Sequence, residues 1–211
     1  MDIEIDPREA GFDAARLARA DRWLQRFVDD GTLPGYQFVV TRGGRIAHAS
    51  VSGYADTAAA RPLTDDALFR IYSMTKPITA VAAMMLYEHG AFQLTDPVSN
   101  FIPAFADLRV HTGGSDLRPS SAPATQPMRM AHLLTHTAGL TYGFFRQHPI
   151  DAIYRERGLD GSKPMDLEAL CNGLAQVPLL FEPGTEWAYS MASDVLGRVV
   201  EVISGRPIAD F

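Results

Sequence analysis

The chain has too little of several things to be a disulfide scaffold, a nucleic-acid binder or a membrane protein. Its one cysteine, Cys171, leaves no disulfide possible within the chain, and a reducing compartment is compatible. Basic residues are in deficit: the formal net charge is −6 and the isoelectric point is near 5.4, so neither nucleic acid nor an anionic membrane is an expected partner. No apolar run approaches membrane-spanning length. The opening residues, Met1 to Pro7, are acidic and lack the basic and apolar regions of a secretory signal, so a cytoplasmic location is expected. No Gly-x-Ser-x-Gly turn occurs, which excludes the strained nucleophile elbow of a Ser-His-Asp α/β-hydrolase. His132 and His136 are four apart, a zinc-compatible spacing, but no metalloprotease glutamate or third ligand accompanies them. No metal and no cofactor is expected. His48, His89, His111 and His148 have no partner visible in the sequence.

What is present is a globular chain of 211 residues, 46% hydrophobic, with chemistry placed at element boundaries. Ser73-Met74-Thr75-Lys76-Pro77 opens a helical pattern, Ile78, Val81, Ala82, Met85, Leu86, that stops at Gly90. Pro77 lacks a backbone donor, which is harmless only near a first turn, so Ser73 falls at or beside the N-cap. Residues three apart are neighbours on a helix, so a hydroxyl and an amine share one face there. The helix dipole and free amides at that end lower the cost of an alkoxide or oxyanion. The apolar helix following Lys76 predicts a buried amine with a depressed pKa, suited to act as a base.

Elsewhere, Asp13 caps a helix with Leu17, Leu24, Phe27 and Val28 on one face, ending at Gly31 and covering a sheet. Tyr36 to Thr41 and Arg45 to Gly53 read as a hairpin around Arg42-Gly43-Gly44. The stretch from Arg109 to Gln126, rich in Gly, Ser, Pro and Thr, reads as a long surface loop near the site entrance. Arg155 to Pro164 is a second irregular stretch. Cys171, among Leu167, Leu170 and Leu174, reads as a small core residue. By spacing alone, Tyr189 is a half-buried aromatic just ahead of a helix capped by Ser190. Tyr142, Phe144, Phe145 and Trp187 read either as core or as the lining of a pocket.

Six blocks carry a resemblance. They are Phe69-Arg70-Ile71-Tyr72-Ser73-Met74-Thr75-Lys76-Pro77, Leu94-Thr95-Asp96-Pro97-Val98, His132-Leu133-Leu134-Thr135-His136-Thr137-Ala138-Gly139-Leu140, Phe181-Glu182-Pro183-Gly184-Thr185, Tyr189-Ser190, and Leu196-Gly197-Arg198-Val199-Val200-Glu201. In this order they resemble the serine β-lactamase-like hydrolases, in the branch holding class C β-lactamases, family VIII carboxylesterases, D-aminopeptidases and lovastatin-type acyltransferases. The resemblance implies an α+β fold, a mostly antiparallel sheet flanked by helices with a helical region. The N-terminal helix and hairpin would occupy residues 1–60, and a mainly helical region carrying both motifs residues 61–211. It implies Ser73 as nucleophile, Lys76 as proton acceptor or relay, and Tyr189 as the base that also protonates the leaving group. Tyr72, Tyr142, Phe144, Trp187 and Met191 are the implied substrate-binding residues. In that role the His132–Gly139 segment is a structural helix and turn with Gly139 as its stop.

Two departures refine the expectation. Where β-lactamases of this branch carry Tyr-x-Asn, this chain has Met191, which favours short-chain acyl esters over β-lactams. The family's third motif, a triplet on a late strand supplying one oxyanion amide, lies beyond Phe211. The chain is therefore expected to be the N-terminal part of a larger protein, with its C-terminal strands on a second chain or a following segment. The alternatives are a β-lactamase, acyltransferase or D-aminopeptidase of the same superfamily, or a non-catalytic penicillin-recognising relative.

Overall fold

The computed structural model describes residues 1–211, which form two compact units, Met1–Arg70 and Ile71–Phe211. In the first, Asp13 accepts from Ala15 N at 2.8 Å and Arg16 N at 3.2 Å and starts helix α1, Ala14–Asp29. These bonds satisfy amides that a helix start leaves free. Leu17, Leu24, Phe27 and Val28 are half-buried along one face, and α1 packs on strands β1, Gly35–Arg42, and β2, Arg45–Asp56. Asp21 of α1 accepts from Ser50 Oγ at 2.7 Å and meets His48 Nε2 at 3.0 Å, fixing helix to strand. The hairpin is antiparallel, Phe38 opposite Ser50, and turns at Gly43 and Gly44 with φ of 59° and 76°. Those angles are the two left-handed positions that a two-residue turn matched to strand twist demands. A short strand β3, Arg61–Pro62, extends the sheet in the order β1-β2-β3. The unit runs to Arg70, with Leu63 N bonding Gly53 O at 3.0 Å and Gln37 Nε2 bonding Asp65 O at 2.8 Å.

The second unit holds most of the core. Its helices are α2, Thr75–Glu88; α3, Met130–Leu134; α4, Pro149–Glu156; α5, Leu167–Ala175; and α6, Ala192–Ser204. Helix α6 is central. It packs on α2, α3 and α5, and its Val195, Leu196, Val199 and Val200 are buried with Leu133, Ile150, Cys171 and Leu174. Cys171 is fully buried and its thiol is pushed up to about 12 by desolvation, so it is inert core. Helix α6 ends at Gly205 in the left-handed conformation, φ 68°, before a turn over Pro207–Asp210.

Three features differ from the sequence expectation. Residues 109–126 are no loop: Arg109–Gly114 and Pro119–Pro123 form a hairpin, β4 and β5. Its poor strand composition is offset by partners from elsewhere, with His111 N donating to Leu179 O at 2.8 Å and Leu179 N to Arg109 O at 2.7 Å. Helix α2 is not buried; Ala83 is its one buried residue, and Ile78 is 60% exposed, so Lys76 is only partly removed from water. Finally, α3 stops at Leu134, and the left-handed residue after it is His136, φ 56°, ahead of Gly139. No helix is long and apolar enough to cross a membrane.

Candidate active site

Ile71 to Met74 turn tightly before α2. Tyr72 takes φ 45°, unusual for a bulky side chain, and Ser73 lies in a short 3₁₀ turn, Tyr72–Met74. Met74 is the N-cap of α2, so Ser73 sits beside the cap and not on it. Non-glycine residues in this conformation cost on the order of 1–3 kcal/mol and persist only where surroundings fix them. The consequence is local: the turn leads Ser73 into the first turn of α2, where Lys76 Nζ lies 3.3 Å from Ser73 Oγ.

Tyr189 comes from the segment before α6, and its phenol reaches the same two groups. Hydrogen bonding to Lys76, and next to Ser73, holds the phenol below its ordinary value. The Lys76 ammonium stands 4.7 Å from the centroid of the Tyr189 ring and 5.4 Å from that of Tyr142. Burial draws the lysine down, but hydrogen bonds to Tyr142 and Tyr189 and attraction to their phenolates outweigh it and leave it raised. The expected depressed lysine is thus overturned. The cause is two phenols from distant segments, which favour the charged form that burial disfavours. Tyr142, the more buried phenol, is raised, first by desolvation. In this arrangement the Lys76 ammonium favours the ionised form of Tyr189, and the two phenols favour the charged form of Lys76.

The candidate substrate residues divide. Tyr72, Tyr142 and Met191 line a cavity of about 460 Å³ together with Lys76, Asp160 and Asp194. Trp187, 66% exposed, lines a second cavity of about 300 Å³ with Tyr189, Phe145 and Leu180. Phe144 lines neither, but stacks on Tyr142 at 4.8 Å and 22° and so braces it. Sequence reasoning missed Asp194, whose half-buried carboxyl is pushed up by desolvation in the cavity it shares with Lys76. Its position in the first turn of α6 was the available signal. It also missed Asp151, which is buried and accepts from Thr141 Oγ1 at 2.8 Å, Gln147 N at 2.9 Å and His148 N at 3.1 Å, shaping the wall of the second cavity. Ser190 does not cap α6; the cap is Met191, and Ser190 is engaged instead by His136. No three His, Cys, Asp or Glu side chains are grouped as metal ligands would need to be.

A helical unit built round a Ser-x-x-Lys turn and a distant tyrosine, and a unit of helix and antiparallel strands, together define the β-lactamase/transpeptidase-like fold. The chain belongs to the beta-lactamase family, whose model matches residues 20–211. Esterase EstB of Burkholderia gladioli is 38% identical over 210 residues, which cover 97% of this chain and 50% of that protein. Lovastatin esterase of Penicillium rubens is 30% identical over 197 residues, 90% of this chain and 48% of that one. Among solved structures, EstCE1, a hydrolase with promiscuous acyltransferase activity, superposes with a TM-score of 0.79 at 34% identity, over 92% of this chain and 48% of that one. The chain spans about half the length of the curated relatives it matches.

Proposed function

We propose that this chain carries the nucleophile and base pair of a carboxylesterase acting on short-chain acyl esters. The observation that supports this most is the meeting of Ser73 Oγ, Lys76 Nζ and the Tyr189 phenol, with a raised ammonium beside a lowered phenol. The Tyr189 phenolate, stabilised by Lys76, takes the Ser73 proton as Oγ attacks the ester carbonyl. The Ser73 amide donates to the developing oxyanion. As the tetrahedral centre collapses, Tyr189 returns the proton to the departing alcohol. Water, deprotonated by the same phenolate, attacks the Ser73 ester, and the carboxylic acid leaves as Oγ regains its proton. Met191, buried at the cap of α6, gives the first cavity an apolar wall suited to a hydrocarbon acyl group.

Acyl transfer is the second reading, favoured by the two cavities. Tyr142 borders one, Tyr189 the other, and their rings are 5.6 Å apart, so there is room for an acyl group and an acceptor alcohol. A further stretch of the same protein, as long as the relatives' excess length, would cover the solvent-facing Ile78, Val81 and Met85 of α2 and supply the late-strand amide. Steady hydrolysis of p-nitrophenyl butyrate by the product of the complete reading frame, lost in Ser73→Ala, tests the reading; added alcohol that diverts product to a new ester selects transfer. An unaffected Ser73→Ala rate would refute both.

A further inference from the structure

His136 grips the chain on both sides of Tyr189. Its carbonyl accepts from Ala188 N at 3.0 Å, and its Nδ1 lies 3.4 Å from Ser190 Oγ. Between those anchors the imidazole packs on the Tyr189 ring itself, centroids 4.9 Å apart at 48°. Ser190 is fully buried, so its hydroxyl needs the partner that Nδ1 provides. The grip is held under strain: the backbone at residue 136 is left-handed, φ 56°, and its bonds to residues on either side of Tyr189 are what fix it.

We propose that His136 is a positioning residue, which holds the Tyr189 phenol against Lys76 and Ser73 by clamping residues 188 and 190, and that it works as the neutral imidazole. This rests on the role given to Tyr189 above and goes beyond it. A neutral ring accepts from the Ser190 hydroxyl through Nδ1. Burial, and then the Lys76 charge, hold the imidazole below its ordinary range. An imidazolium would meet the Lys76 ammonium across a cavity of about 180 Å³ that His136 lines with Lys76, Leu133, Ser193 and Leu196. The charged and titratable groups on the surrounding elements are Lys76 from α2, Arg129 and His132 at the start of α3, Tyr142, Glu186 and Tyr189 from the loops, and Asp194 from α6. Of these, Lys76 perturbs the ring by its charge, and it opposes protonation.

The test uses the product of the complete reading frame labelled with ¹³Cζ-tyrosine, the Tyr189 resonance being identified by its loss in Tyr189→Phe. In the parent, Tyr189 titrates below the ordinary phenol range. In His136→Gly, which keeps the left-handed backbone but removes the ring, and in Ser190→Ala, it moves up towards that range. The same variants lose about 10–100-fold in kcat with KM little changed, as a phenol displaced by about an ångström implies. His136→Asn, which tolerates the left-handed backbone and offers a neutral acceptor near the position of Nδ1, recovers most of that loss. Should His136→Gly fail to fold, Ser190→Ala, which removes one oxygen, carries the test. A parental Tyr189 titration and parental kcat in Ser190→Ala and His136→Gly would overturn the proposal. Full activity in Tyr189→Phe would instead remove the base role assigned to Tyr189, a failure separate from that of the clamp.

Discussion

Lys76 Nζ stands over the Tyr189 ring, 4.7 Å from its centroid, while it remains within 3.3 Å of Ser73 Oγ. The amine thus neighbours both the proposed nucleophile and the proposed base. Because the lysine is raised and the phenol lowered, the part proposed for it is that of a fixed cation and not of a free base.

Replacing Lys76 by Met therefore removes the charge that favours phenolate. The fall in kcat/KM should be about 10²–10⁴-fold, the usual scale for a lost acid–base partner. The sign of the pH effect follows: without the cation the phenol ionises at higher pH, so the acid limb of the residual pH–rate profile moves upward. A pH–rate series on Lys76→Met checks this, and a limb unmoved or shifted downward contradicts it.

The histidines make stability fall on acidification. His132, His136 and His148 are each held below the ordinary imidazole value, in every case first by burial. A folded value below the unfolded one means that the unfolded chain takes up protons first. Their contribution is complete above about pH 6.5 and is lost as pH falls towards the folded values. Asp194, raised by burial, works in the opposite sense and gains as pH falls through its own range. Thermal melts from about pH 8 to pH 5.5 should show a declining Tm; a flat or rising Tm would contradict the assignment.

Asp151 answers three donors at once, from Thr141, Gln147 and His148. Asp151→Ala leaves the buried Thr141 hydroxyl and two part-buried amides without this partner, and each unmet buried partner costs about 1–3 kcal/mol. A loss of at least about 2 kcal/mol in denaturant unfolding is expected, with Thr141→Val, which removes one partner, costing less. Equal stabilities would refute the shared role.

Two glycines separate conformation from space. Gly139 and Gly161 both have φ 80°, but a Cβ at Gly139 would fall 2.5 Å from Phe181 O, whereas nothing lies within 4 Å of one at Gly161. Gly161→Ala should cost only the left-handed penalty, about 1–2 kcal/mol. Gly139→Ala should cost clearly more, since Phe181 O is backbone and Leu180 N bonds Gly139 O at 2.7 Å in the same place. Urea unfolding of the two variants side by side decides this; equal losses would mean that the contact yields.

What the sequence made legible was local. Asp13 as cap, Gly43-Gly44 as turn, and Ser73 with Lys76 one turn apart each depend on residues a few positions away, and each stands as read. What it hid depends on partners far along the chain. Hairpin β4–β5 forms because Leu179 bonds its first strand, the upward shift of Lys76 comes from Tyr142 and Tyr189 acting against burial, and the place of His136 is fixed by residues 188 and 190. The exposure of α2 belongs to the same class: an apolar pattern marks the helix but not what lies against it.

The most direct measurement is capture of the intermediate. The product of the complete reading frame is mixed with p-nitrophenyl butyrate, acid-quenched within the first turnovers, digested and analysed by peptide mass spectrometry. A butyryl group on Ser73 is expected, more abundant when deacylation is slowed and absent in Ser73→Ala. Continued p-nitrophenol release with Ser73 unmodified, or with the acyl group on another residue, would contradict a Ser73 acyl-enzyme.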